Sequence, residues 1–114
     1  MFSKRNMFAA ASLAFAASLA QAQISDGVVK IGVLSDMSSL YSDIGGGGSV
    51  VAARMAIADF PTKGMKVELL SADHLNKPDV GSSIARQWYD VDKVDVIVDV
   101  PTSSIALEIG RAHV

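Results

Sequence analysis

The sequence predicts an α/β fold, a parallel sheet with helices on its faces, in which a βαβαβ run is visible. Three short β-branched runs, Val28–Leu34, Met65–Leu70 and Val94–Val98, each give way to polar turn residues. Apolar-patterned segments of helical length lie between them. Strand and helix alternating over short connections implies parallel βαβ units with right-handed crossovers.

The first strand, Val28-Val29-Lys30-Ile31-Gly32-Val33-Leu34, ends in the turn chemistry of Ser35-Asp36. From about Ser49 to Phe60 apolar residues run nearly all round a helix. Val50, Ala53, Ile57 and Phe60 share one face, and Arg54 and Asp59 are its only charges. A helix of this kind is expected to be mostly buried, and Pro61 with Gly64 ends it. Met65–Leu70 is the second strand, followed by a polar loop, Ser71–Asp79. In the second helix, Pro78–Val91, the residues Val80, Ile84, Trp88 and Val91 form an apolar stripe, while Arg86, Gln87 and Asp90 point away. After the third strand, Pro101-Thr102-Ser103-Ser104 opens a third helix. No linker or low-complexity segment interrupts residues 23–107, which read as a single lobe.

Ahead of the lobe stands an export signal, residues 1–22. Lys4 and Arg5 precede the apolar run Met7–Leu19, and Ala20-Gln21-Ala22 supplies the small-x-small pattern for cleavage after Ala22. As a helix that run would reach only ~20 Å, short of a ~30 Å hydrocarbon core. No stable membrane insertion is therefore expected once the signal is cut. The chain has no cysteine, so neither structural disulfides nor a lipoprotein anchor is expected. The product is expected to be a soluble protein of a bacterial periplasm.

Residues 23–114 carry 8 Lys+Arg against 12 Asp+Glu, a net charge of −4. That balance gives no support for nucleic acid or an anionic membrane as partner. The 92 residues suffice for one modest core, burying roughly 65% of the unfolded surface.

In such a sheet, ligands sit beyond the carboxyl ends of the strands, where crossovers diverge. The loops Ser35–Gly48, Ser71–Asp79 and Asp99–Ser104 lie there, rich in Ser, Asp, Asn and Gly. Gly45-Gly46-Gly47-Gly48 lacks the Gly-Lys-Ser/Thr of a phosphate loop, so its expected use is backbone freedom and free amides at a helix start. Asp73-His74 could suggest a metal or a general base. With His113 the only other histidine and no cysteine, no metal site is expected, and His74 is read as solvated. Asp36, Asp43, Asp73 and Asp99 gather at this edge, so an acid–base carboxylate pair is conceivable. Nothing marks a nucleophile, and neither catalysis nor a cofactor is expected.

Ser103 and Ser104 follow a strand and Pro101, where a helix should begin. One is read as an N-cap. The other hydroxyl, with the free amides and the dipole end of the helix, would seat a carboxylate. Tyr41 in the first loop could cover the bound molecule with its ring and offer its hydroxyl.

Taken in order, Val29-Lys30-Ile31-Gly32-Val33-Leu34-Ser35, Leu40-Tyr41-Ser42-Asp43-Ile44-Gly45 and the glycine-rich opening of an Ala-rich helix resemble the extracellular solute-binding proteins of the Leu/Ile/Val-binding family. Asp92-Lys93-Val94-Asp95-Val96-Ile97-Val98, then Pro101-Thr102-Ser103-Ser104, extends the resemblance over residues 28–107. It implies a non-enzymatic receptor for an ABC importer. The fold implied is the type I periplasmic binding protein, a three-layer parallel-sheet lobe repeated as a pair, of which this is the N-terminal lobe only. Its implied partners are a small solute, an amino acid or another carboxylate, and the importer's permease. The family's carboxylate-holding segment falls on Thr102, Ser103 and Ser104, with Ser103 foremost, and its pocket-lining tyrosine on Tyr41. Two departures touch the pocket walls, so the solute stays open. Asp99-Val100-Pro101 stands where the family often has Gly-Pro, and Met37-Ser38-Ser39 where it commonly has Leu-Thr-Gly.

Two other classes remain: a sensor or regulator domain of the same fold, and an exported α/β enzyme. A downstream membrane segment or effector domain would select the first. A nucleophile–base pair or phosphate loop would be needed for the second. The last residues, Glu108-Ile109-Gly110-Arg111-Ala112-His113-Val114, break the Ala- and Val-rich pattern of a third helix, where Gly110 costs ~1 kcal/mol. They read as a non-native tail, since one frame of a common sequencing-library adapter (GAG-ATC-GGA-AGA-GCA-CAC-GTC) encodes this heptapeptide. On that reading the polypeptide alone, with three strands and an open edge, folds poorly and binds no solute with useful affinity. The nucleotide sequence of the last seven codons tests it: codons other than that string end the adapter origin.

Overall fold

A computed structural model describes residues 27–112, so the export signal and the final His113 and Val114 lie outside the described residues. Three strands, β1 (Val28–Ser35), β2 (Lys66–Asp73) and β3 (Val96–Val98), alternate with helices α1 (Gly46–Asp59), α2 (Pro78–Gln87) and α3 (Ser103–Ala112). The strands are all parallel and lie in the order β2-β1-β3. β1 is the central strand, paired on both sides. Its register runs from Val28 opposite Lys66 to Ser35 opposite Asp73 on one side, and from Ile31 opposite Val96 to Val33 opposite Val98 on the other.

Side chains alternate across β1, which gives the sheet two different faces. Leu34 meets Ala85, Trp88 and Val94 in the core, joined by Leu70, Ala72, Ile84, Ile97, Val100 and Ile109. This is the face of α2 and α3, which pack on each other through Gly81 and Ile105. Val29, Ile31 and Val67 face the other way, toward Ala53, Ala56 and Ile57 of α1 and Phe60 just after it, across an apolar groove. The result is the expected three-layer α/β arrangement. β3 is fastened at its start by β1: Lys30 N donates to Asp95 Oδ2 (2.8 Å) and Asp95 N to the Lys30 carbonyl (2.9 Å). Lys30 Nζ reaches back to the Asp92 carbonyl (2.9 Å).

The structure departs from the sequence expectation in four places. α1, expected to be mostly buried, meets the sheet along one side only. Val51 and Met55 are more than half exposed, because nothing among the described residues covers its outer side. β2 runs on through Ser71, Ala72 and Asp73, which pair with Val33, Leu34 and Ser35, so the loop begins later than Ser71. β3 is shorter than expected, and Val94 serves as a core residue ahead of it. The second helix does not hold one pitch to Val91. It widens into a π turn over Trp88–Asp92, closed by Lys93 in the left-handed region at φ 58°. The wider turn rotates Val91 off the stripe, leaving it 63% exposed.

Trp88 explains why β1 carries a glycine. A Cβ on Gly32 would stand 2.6 Å from Trp88 Cε3, inside the contact limit of a rigid ring. Gly32→Ala is therefore expected to destabilise the fold by about 1–3 kcal/mol through overpacking. Chemical denaturation checks this, and an unchanged midpoint would mean that the indole does not rest on β1.

Candidate functional site

β1 hands its chain to α1 on one face, while β3 hands its chain to α3 on the other. The crevice of the sheet therefore opens between the carboxyl ends of β1 and β3. The first loop and the segment Asp99–Thr102 line it.

The first loop is built on Asp36, which is fully buried at the end of β1. Its Oδ1 accepts from Ser38 N (3.3 Å) and Ser39 N (2.7 Å), and its Oδ2 from Ser39 Oγ (2.6 Å) and Tyr41 N (2.8 Å). Asp73, opposite at the end of β2, braces the same loop. It accepts from Met37 N (3.0 Å) and Ser38 Oγ (2.5 Å), and also from Leu75 N (2.8 Å) on its own side. Burial alone would push both carboxyls up. The hydrogen bonds, led by the Ser39 hydroxyl, outweigh it for Asp36 and bring it down to about 2. For Asp73 the bonds led by Ser38 prevail likewise, against burial and the Asp36 charge, and its carboxyl lies below its ordinary value. These two aspartates spend their lone pairs on holding the loop and make no free acid–base pair. Asp43 is exposed and stands apart from them.

At the far end of the loop, Ser35 Oγ accepts from Gly46 N (3.2 Å) in the absence of a side-chain cap from Gly45. Gly46 takes φ +48°, which only glycine adopts freely. A Cβ on Gly45 would lie 3.0 Å from both Ser35 Oγ and Asp99 Oδ2, so this glycine lets the β1 and β3 segments meet. Asp99 itself sits in the left-handed region (φ 57°), and its Oδ2 is buried with no protein partner.

At α3, Thr102 occupies the cap position. Its carbonyl accepts from Ile105 N (3.0 Å) and Ala106 N (3.1 Å), and its Oγ1 is buried without a partner. Ser103 and Ser104 are the first two helical residues and are exposed. Neither takes the cap position expected for one of them; their amides are among those a helix start leaves unpaired. Tyr41, 36% exposed, is held in the first loop by its backbone. The topology thus brings Tyr41 and the Thr102–Ser104 segment to the same sheet edge, on loops from adjacent strands.

His74 differs from its expectation. It is fully buried, beside Gly81 of α2, where an added Cβ would lie 3.5 Å from the His74 Cβ. Burial depresses its pKa, against the opposing pull of Asp36, Asp73 and Asp99. Among the described residues no group of three His, Asp or Glu side chains is placed to hold a metal ion, and no helix is long and apolar enough to cross a membrane. The hub role of Asp36 went unread. Its signal was Asp36-Met37-Ser38-Ser39 directly after a strand, the pattern of an aspartate bonding backbone amides two and three residues on.

The family model for periplasmic binding proteins matches residues 28–112. The chain belongs to this family. Among solved structures, a periplasmic binding protein from Burkholderia mallei is 42% identical, with a TM-score of 0.71 over 75% of this chain and 24% of its own. A branched chain amino acid ABC transporter periplasmic ligand-binding protein from Burkholderia xenovorans LB400 is 52% identical, with a TM-score of 0.69 over 73% of this chain and 23% of its own. A leucine binding protein from Thermotoga maritima MSB8 is 28% identical, with a TM-score of 0.65 over 74% and 24%. No curated protein matches. The chain spans about a quarter of the length of these structures, and its fold is that of a type I periplasmic binding protein lobe. All three are named as binding proteins, one of them of an ABC transporter. The family match reaches Ala112, as does α3.

The Asp36 carboxylate should hold the first loop only while ionised. Its folded pKa lies below its ordinary 3.8, so its contribution is complete above that value and is lost as pH falls toward about 2. Asp36→Asn is expected to lower the thermal midpoint at pH 6 and to speed amide exchange at Ser39 and Tyr41. The gap between wild type and variant should close on acidification to pH 2; a gap that persists there would contradict an ionic role.

Proposed function

We propose that this segment forms one wall of an extracytoplasmic solute-binding receptor, exported by a cleaved signal, that captures a small carboxylate or amino-acid-like solute in the periplasm and delivers it to an ABC importer permease. The reading rests on one observation above the rest. At the crevice between β1 and β3, a rigid first loop carrying Tyr41 stands beside a helix start whose Ser103 and Ser104 are open to solvent. A helix start offers unpaired amides and the positive end of its dipole, which suit an anionic group. Thr102, Ser103 and Ser104 are assigned to that group and Tyr41 to the solute's flank. The 52% identity to a branched chain amino acid ligand-binding protein supports the transporter class. In this reading the opposite wall comes from a second lobe in a longer product.

The test uses the complete reading frame that carries this segment. A thermal-shift screen of amino acids, aromatic acids and amides should raise the midpoint with at least one solute. Ser103→Ala should then weaken that solute by roughly 10–100-fold, the worth of a charge-assisted hydrogen bond. No shift with any solute, or equal binding by the variant, would count against the assignment.

A further inference from the structure

His74 is a buried titratable group that the solute site does not use. Its backbone is committed: its N–H donates to the Ser35 carbonyl (3.0 Å), and its carbonyl accepts from Lys77 N (2.9 Å). Its ring is committed on one side, where Nδ1 accepts from Asn76 N at 3.0 Å. A nitrogen that accepts carries no proton, so the neutral ring bears its hydrogen on Nε2. That Nε2 is buried with no hydrogen-bond partner. The bond at Nδ1 closes a turn in which Leu75 and Asn76 are both left-handed, at φ 55° and 54°. Leucine has no local means of relieving that conformation, so the turn depends on its hydrogen bonds. They are three: Asp73 Oδ1 receiving Leu75 N, His74 Nδ1 receiving Asn76 N, and the His74 carbonyl receiving Lys77 N.

We propose that His74 is an acid-sensitive latch: uncharged, it holds the 74–77 turn that joins β2 to α2, and on gaining a proton at Nδ1 it releases that turn. The proton that arrives occupies the lone pair that Asn76 N–H uses, so the two cannot coexist. The charged groups facing the ring are Asp36 from the first loop, Asp73 from β2 and Asp99 from the segment after β3, all favouring the charged ring. On the α2 side the residue lies beside Gly81, which offers a charge nothing. Enclosure outweighs the three carboxylates, so His74 is held uncharged to lower pH than a free histidine. Because Asp73 braces Met37 and Ser38 as well as Leu75, release of the turn loosens the first loop and with it the mounting of Tyr41. That consequence for solute capture rests on the receptor reading; the latch itself does not, and its test needs no solute.

Asparagine is the discriminating substitution. Its side-chain oxygen can accept the amide two residues on, as an Asx turn does, and it does not titrate. The sign follows from linkage. A folded pKa below the ordinary 6.5 means that stability is complete above that value and falls as pH drops beneath it. In the complete product, the midpoint of wild type should fall by at least about 2 °C more than that of His74→Asn between pH 7.5 and pH 5. The ring resonances of His74 should titrate below 6.5, with faster exchange of the Asn76 amide on the acid side. Parallel midpoint curves for the two proteins would overturn the latch. So would a His74 ring that titrates at or above its ordinary value, which decides the matter even if the variant does not fold.

Discussion

The indole of Trp88 lying on Gly32 is the contact on which the layered arrangement depends. It sits at the middle of the central strand, on the face shared by α2 and α3. Because β1 has no side chain there, the ring can approach the backbone itself, which sets α2 close to the sheet. The same ring begins the π turn, so the chain reaches Val94 and Asp95 at the height where Lys30 can pair with Asp95. One absent side chain thus governs the depth of a helix and the place where the third strand starts.

What the core positions, two carboxylates finish. Asp36 and Asp73 end adjacent strands and converge on one loop, satisfying amides that a polar loop would otherwise leave to water. Their low pKa values and the rigidity of the loop have one cause, the number of donors aimed at each carboxylate. A site mounted on a loop this heavily bonded starts out ordered, and less of the binding energy is lost to ordering it.

The elements were largely readable because their signals are local: β-branched runs for strands, Pro78 at a helix start, and a stripe at every fourth residue through Val80, Ile84 and Trp88. The parallel pairing and the placing of the Tyr41 and Thr102–Ser104 segments at one sheet edge followed from crossover rules and from resemblance, whereas the order β2-β1-β3 came from the structure. What was not readable depends on contacts distant in sequence. His74 is buried beside the place where α2 and α3 pack through Gly81 and Ile105, and nothing near it in sequence marks the burial. α1 has the composition of a buried helix, yet one of its sides meets no cover among the described residues. Val91 fits a perfect helical stripe and misses it because the pitch changes three residues earlier. Thr102, rather than a serine, takes the cap of α3, since the helix begins earlier than the cap pattern implied.

The third strand is short, and its brevity has a use in the company of other chains. Val96-Ile97-Val98 is a strongly β-forming triplet on an open edge, with Val96 and Val98 partly exposed. Such an edge invites a neighbour to add a strand. Here aspartates bracket the triplet: Asp95 is spent on Lys30, and Asp99 turns the backbone left-handed and out of strand geometry. Three residues between two charges are too few to template a growing stack.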